Sequence, residues 1–498
     1  MTSTELRDVN QRLRDIDDQI AGTLAHVERL RIQRLDVLVD FNRERSLFNQ
    51  LPPELICEIF RFALPPPNTL PHPRSAPILL THVCRQWRNI AVSFSALWKN
   101  IVAAEILHCY HKPHLLEMLE TFLIRAENTP LSVSLVQSHP TPTTSSPSMF
   151  DGSRRTQLFR LLRRTSPRWR EFEIVRPLSD LPLLLLRDEP WDFPQLNKLT
   201  ILLTQGTRPE RNSANINMKL SNLTEAKQLR EVHLIGFAPR TLLLPWWQLT
   251  KIHIENLNPS EILDTLSCAT SVVEATFSVW PAAFFHLPRS AAEDILTGRP
   301  RALKSLTITG ENHITPLLDH LLLYPFKKFH ISFGPDNEFA PLVQFITSFP
   351  NLTDVSIAVD AAVPLPELGV CLEQMTKVQT LELSMRNGLS NTNLPRALAT
   401  NPELLPALKS LTIREHVDRY HEPAIDTAVV AEMLRARWEG GKGLSEFVLV
   451  TDYMFFDQDN LMPFVDLAKA GMKIRVQSHG SAGGPFLSVH LDSTWLKA

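Results

Sequence analysis

The sequence predicts an α/β protein. It reads as a long N-terminal helix of coiled-coil character, a small helical module, and a solenoid of strand-and-return units around a parallel sheet. Three observations carry this. Apolar residues near the start step by 3, 4, 3, 4, a heptad seam. Residues 51–98 hold two short amphipathic helices separated by a proline-rich gap. From about residue 130 onward, the pattern apolar-x-x-apolar-x-apolar recurs through the chain.

Residues 1–48 are taken as one helix, since they contain no proline and a single glycine, Gly22. Leu6, Val9, Leu13, Ile16 and Ile20 form the seam. Thr23 weakens it, Val27 and Leu30 resume it, and Arg34 interrupts it again. Such a helix either pairs with a second copy or folds back on its own chain.

Residues 49–103 form the small module. Pro52 and Pro53 occupy a first helical turn, where a missing N–H costs nothing. Ile56, Ile59, Phe60 and Ala63 then fall on one helical face. Leu80, Val83, Cys84, Trp87 and Ala91 repeat the spacing as a second helix, and Phe94, Leu97 and Trp98 close the unit. About 50 residues make a marginal domain, yet these carry more apolar side chains than so small a unit can hide, so the surplus calls for a partner.

The order of Leu51, Pro52, Glu54, Leu55, Ile59, Phe60, Val83, Cys84, Trp87, Arg88, Ala91, Leu97 and Trp98 resembles an F-box. The resemblance covers about a tenth of the chain. It departs from the usual pattern at Leu64–Pro77, a longer and more proline-rich link that is similar to the F-box-like families expanded in fungi. The resemblance implies docking on the Skp-type adaptor of a cullin-based ubiquitin ligase. Leu51, Pro52, Leu55, Ile59, Leu80, Val83, Trp87 and Trp98 are the residues expected to form its core and docking surface. Which of them face inward is not decided by the sequence.

Residues 104–130 read as a helical linker with Leu115, Leu116, Leu119 and Leu123 on its apolar face. His108, Cys109, His111 and His114 lie there too, but Tyr110 and Pro113 break the run and no second ligand cluster accompanies it. A helix end or turn explains them better than a metal site. Leu131, Val133 and Leu135 alternate as a strand. Ser138–Ser153 is rich in Ser, Thr, Pro and Gly and reads as a surface loop. Seven arginines between Arg154 and Arg170 interleave with Leu158, Leu161 and Leu162, as on a helix with a basic solvated face.

Residues 131–498 carry the repeats. The triplets are Trp169, Phe172, Ile174; Leu196, Leu199, Ile201; Leu229, Val232, Leu234; Leu249, Ile252, Ile254; and a weaker Val272, Ala275, Phe277. They continue as Leu303, Leu306, Ile308; Phe326, Phe329, Ile331; Leu352, Val355, Ile357; Val378, Leu381, Leu383; Leu408, Leu411, Ile413; and Leu444, Phe447, Leu449. Ala302–Ile308 and Ala407–Ile413 are the same seven residues, ALKSLTI. Units start roughly 20–36 residues apart, and no single unit can bury its own apolar face, so neighbours must stack. This region resembles the irregular leucine-rich repeats found behind many F-boxes. The Asn or Cys usually expected after the strand is mostly missing, and a mixed α/β domain with a central parallel sheet is the alternative. Trp246 and Trp247 are expected to place at least one ring in the core.

Charge is nearly balanced, at −2 over 498 residues, which argues against a nucleic-acid or anionic-membrane partner. No apolar run approaches the ~20 residues of a spanning helix. The five cysteines (Cys57, Cys84, Cys109, Cys268, Cys371) are dispersed, so neither a disulfide framework nor a zinc ribbon is expected. Cytoplasm or nucleus is the expected compartment. The phosphate-binding loop and the nucleophile elbow are both missing. Gly440, Gly441 and Gly443 around Lys442 read as a helix-ending turn.

The expectation is a non-enzymatic receptor without cofactor or metal. Its partners would be the adaptor, cullin through the adaptor, an unknown target protein on the repeats, and a second copy through residues 1–48. A scaffold acting outside any ligase is the rival.

Overall fold

The computed structural model describes residues 3–103, 114–136, 152–176, 191–203, 221–236, 239, 242–279, 302–310, 314–322, 324, 326–333, 340–359, 365–386, 394–401, 403–416, 426–439, 443–451, 458–478 and 487–491. The chain divides into two compact units, Met1–Leu162 and Arg163–Ala498.

In the first unit, α1 spans Ser3–Arg45. Val9, Leu13, Ile16, Ile20, Val27 and Leu30 are all exposed along it, so the seam has no cover within the described chain. Glu and Arg neighbours such as Glu28 and Arg31 pair at i, i+3, 3.4 Å apart. The module follows as α2 (Pro53–Phe62), α3 (Leu80–Val83) and α4 (Arg85–Ser93), then a short turn of helix at Ser95–Trp98.

The single second helix expected over residues 80–91 is two helices. Cys84 is extended (φ −155°, ψ 171°), and its Sγ accepts the Trp87 N–H at 3.4 Å, capping α4. The break stays closed because the Arg88 Nε donates to the Thr81 carbonyl at 2.7 Å. A cap residue at the middle of an apolar period ends one helix and starts the next, which periodicity alone does not register.

β1 (Asn100–Val102) and β2 (Leu131–Val136) pair in parallel, with α5 (His114–Arg125) between them. Leu131, Val133 and Leu135 are buried, as their alternation predicts. The run His108–His111 and most of the Ser/Thr/Pro segment lie outside the described residues. Helix α6 covers Gly152–Thr165, with Leu158 and Leu162 buried and Arg160 and Arg164 exposed.

The second unit contains strands β3 (Trp169–Arg176), β4 (Lys198–Leu203), β5 (Glu231–Ile235), β6 (Lys251–Leu257), β7 (Glu274–Val279), β8 (Ser305–Gly310) and β9 (Lys328–Phe333). It continues with β10 (Asp354–Val359), β11 (Thr380–Arg386), β12 (Ser410–His416), β13 (Glu446–Thr451), β14 (Lys473–Ser478) and β15 (Leu487–Leu491). From β3 to β14 each strand pairs in parallel with the next in sequence, and β15 returns antiparallel to β14. Helices α7 (Pro259–Cys268), α8 (Thr315–Leu321), α9 (Ala340–Thr347), α10 (Leu365–Gln374), α11 (Leu394–Thr400), α12 (Thr427–Glu439) and α13 (Gln458–Lys469) lie in the connections. The result is an α/β repeat-like arrangement.

Register explains why the triplets were legible. Leu199, Val232, Ile252, Ala275, Leu306, Phe329, Val355, Leu381, Leu411 and Phe447 are successive cross-strand partners. A second column, two residues on, runs Ile201, Leu234, Ile254, Phe277, Ile308, Ile331, Ile357, Leu383, Ile413, Leu449. Every residue of the eleven triplets is buried. Slipping one strand by one residue would throw both columns to the other face, so the apolar pattern fixes the register.

The helices cover these columns. Phe329 of β9 meets Phe345 of α9 at 4.9 Å between ring centroids, and Phe447 of β13 meets Phe464 of α13 at 6.1 Å. Helix α7 starts with a capping box: Asn258 Oδ1 accepts the Glu261 N–H, and Glu261 Oε2 accepts the Asn258 N–H, both at 2.9 Å. In the turn before β6, the buried Gln248 amide donates to the Ala226 and Leu229 carbonyls at 2.7 and 3.1 Å. Buried Arg437 of α12 donates to the carbonyls of Leu398, in the last turn of α11, and Asn401, just past its end, at 2.8 and 3.1 Å.

The core expectation for the tryptophan pair is not met. Trp246 is half-buried and Trp247 is exposed, because both sit in a 3-10 turn ahead of β6 and the buried positions there go to Gln248 and Leu249.

Candidate functional site

The first-unit module is built from α2 outward. Pro52 precedes the helix in extended geometry and Pro53 opens it, so no donor is lost. Two apolar stripes then run along α2, offset by one residue. Ile56 and Phe60 point inward and are buried. Leu55, Ile59 and Phe62 form the other stripe at i, i+4, i+7 and are 52%, 43% and 82% exposed. Ile59 and Ala63, expected on the buried face, lie outside it.

Trp87 holds the interior together. Its ring lies 4.8 Å from Phe48 and 5.0 Å from Phe60. Trp98 is fully buried; its Nε1–H donates to the Ala91 carbonyl at 2.8 Å. Phe122 meets it edge-on at 4.8 Å, and the Arg125 guanidinium stands 4.4 Å over the ring. Burial pulls the Arg125 pKa down, and the indole face offsets part of that cost. The link Leu64–Pro77 is tied to the unit: Asn68 Oδ1 accepts the Ser134 hydroxyl at 3.0 Å, and Ala76 and Pro77 are buried.

The eight residues singled out in the sequence therefore divide. Leu80 and Trp98 are interior. Leu51 and Trp87 are half-buried. Pro52, Leu55, Ile59 and Val83 are exposed, Val83 by 53%. Phe62 and Leu79 are exposed as well and were not singled out. Cys57, beside the outward stripe, has its thiol pKa raised by partial burial and by the neighbouring carboxylates of Glu54 and Glu58, so it stays a thiol near neutrality.

The second unit presents a polar face opposite its apolar columns. One column begins Glu171, Lys198, Glu231, Lys251, Glu274 on successive strands, a strict alternation of sign. Lys251 and Glu274 approach to 3.0 Å, and Lys328 and Asp354 to 3.3 Å. The hydrogen bond and charge of Glu274 raise the Lys251 pKa. Exposed pairs of this kind are worth ~0–1 kcal/mol each. Their value here is in matching each strand to its neighbour and rejecting a slipped register.

The middle polar column runs Thr200, His233, His253, Thr276, Thr307, His330, Ser356, Glu382, Thr412. His330 is pushed toward its neutral form by burial, with Glu382 opposing and Arg414 assisting. Arg414 and Glu382 form an ion pair across β11 and β12. His233, His253 and Glu255 gather on β5 and β6. No sequence motif marks them, although both histidines occupy the same place between the second and third residues of consecutive triplets.

Among the described residues no helix is long and apolar enough to cross a membrane. A family model described as F-box-like matches residues 48–104, the segment holding α2, α3, α4 and β1. No curated protein matches the chain.

Proposed function

We propose that this protein is the substrate-receptor subunit of a Skp–cullin–F-box type ubiquitin ligase. The premise is the F-box-like domain at residues 48–104. The observation that carries the reading is the second, outward stripe on α2: Leu55, Ile59 and Phe62 are apolar, adjacent on one helix face and exposed. Fully burying one such side chain is worth ~1.5–3 kcal/mol. A soluble domain keeps such a stripe where another chain covers it.

Leu51, Pro52, Leu55, Ile59, Val83 and Trp87 then form the docking set, while Leu80 and Trp98 hold its shape from inside. The repeats, which resemble leucine-rich repeats, offer the target a rigid polar face. The protein itself makes and breaks no bond. It raises the effective concentration of target near the transferring enzyme. Helix α1, with its uncovered heptad seam, pairs with a second copy, which sedimentation of residues 1–48 fused to an inert carrier would register as a dimer.

The test is reconstitution. Co-expressed with a Skp-type adaptor and cullin, the full chain should co-purify with both, and a protein captured by the repeats should accumulate when the chain is deleted. Adaptor without cullin would favour the rival scaffold role. Absence of both would end the proposal.

A further inference from the structure

Strands β5 and β6 bring three metal-competent side chains together on the polar face. His233 and His253 are direct register partners. Their rings stack with centroids 4.0 Å apart and planes 11° from parallel. Glu255 reaches back along β6, its Oε1 3.2 Å from His253 Nε2 and 3.7 Å from His233 Nε2. One ligand atom from each residue lies within 4.8 Å of the other two.

Two further features belong to the same spot. The β6–β7 register shifts between Ile254 and Leu257, so Glu255 sits at a bulge, and the next residue, Asn256, adopts φ +66°. Bulges re-aim side chains, and a left-handed non-glycine residue stores strain that regular strand pairing would not require. In addition, the His233 Nε2 is buried and has no hydrogen-bond partner. Glu255 at 3.7 Å is too far to satisfy it as a hydrogen bond.

We propose that His233, His253 and Glu255 form a binding site for a divalent transition-metal cation of the zinc class, with at least one coordination position left open. Two imidazoles and a carboxylate are a donor set that zinc accepts, and three protein ligands plus an open place differs from the closed four-ligand arrangement of structural sites. Bonds of ~2.0–2.1 Å around a tetrahedral ion put ligand atoms ~3.3 Å apart. The two Glu–His separations are already near that value. The imidazole χ2 torsions are broad, so the rings can turn from side-by-side to convergent at little cost.

Burial and the neighbouring His253 both favour neutral His233, the form that binds a metal, while Glu255 opposes this. Lys198 also faces the group and works against a cation, but it is paired with Glu231 at 3.9 Å. Because both histidines stand on strands whose register is fixed by buried neighbours, their backbone placement is set before the ion arrives and only the rings need turn.

Zinc chloride titrated into the full chain against a chromophoric chelator, with cobalt(II) absorption as a second readout, tests this. One equivalent should bind, and the thermal midpoint of the wild type should rise with zinc. His253→Ala and the near-isosteric Glu255→Gln should each weaken binding by about 100-fold, at least the loss seen for outer-shell changes. Lys251→Ala, on the same strand but outside the trio, should bind as wild type. No saturable uptake by the wild type would overturn the proposal. So would unchanged affinity in Glu255→Gln, which keeps side-chain volume, once its thermal midpoint without zinc is shown to match the wild type.

Discussion

The helical module and the strand repeats treat apolar residues in opposite ways. In the repeats, every apolar triplet residue is buried, because each strand hands its uncovered side to the next. In α2 there is no next copy. Ile56 and Phe60 consume the available interior, and Leu55, Ile59 and Phe62 remain outside. Similar residue types are thus buried where the unit repeats and left exposed where it does not.

The sharpest way to break that contrast is to shorten one side chain in each region. Phe329→Ala removes a buried ring that touches Phe326 and Phe345. It should cost about 3–5 kcal/mol in chemical unfolding, as large-to-small core changes do. Leu55→Ala, on an exposed helix position, should change stability by under about 0.5 kcal/mol. Equal losses at the two sites would mean that the exposed stripe is core after all.

A smaller effect sharpens the interior side. Trp98→Phe keeps an aromatic ring but loses the bond from Nε1–H to the Ala91 carbonyl, leaving that acceptor buried. A loss of about 1–3 kcal/mol is expected, with the full figure only if no other donor reaches Ala91.

The polar face of the sheet should respond to pH through His330. His330 has a folded pKa below the ordinary value of 6.5, so the unfolded chain binds the proton more readily. Its contribution is intact above pH 6.5 and is lost as pH falls from there through the lowered folded value. Equilibrium unfolding between pH 7.5 and 5 should show stability falling with acidity, and His330→Asn should flatten part of that slope. The least effect belongs to the ion-pair column. Lys251→Met should cost no more than about 1 kcal/mol and less in high salt, when measured by thermal unfolding at two ionic strengths.

Much of this architecture is readable before any coordinates. The triplets succeed because a period of two, repeated in phase, allows only one register, so Ile308 and Ile413 reveal their roles from ALKSLTI alone. Strand β14 escapes because Gly471, at φ +101°, turns α13 directly into it, and Met472 just before it and Ile474 and Val476 within it are buried at a spacing of two throughout. The helix break at Cys84 escapes because a thiol serves as the cap. The module's identity is legible from Pro52, Trp87 and Trp98, but the division between interior and surface is not: Ile59 and Phe60 are adjacent and both strongly apolar, and packing separates them. The histidine pair is hidden for a different reason. His233 and His253 are distant in sequence and meet only through the parallel register of β5 and β6.

The outward stripe of α2 is the face proposed to be covered by an adaptor. Calorimetric titration of the full chain with a Skp-type adaptor measures this directly, alongside a Leu55→Asp/Ile59→Asp variant checked for an unchanged thermal midpoint. A saturable one-to-one complex is expected for the wild type, and at least about a 100-fold loss for the variant, the scale of removing two central anchors. Equal affinity in both proteins, or no complex with the wild type, would contradict it.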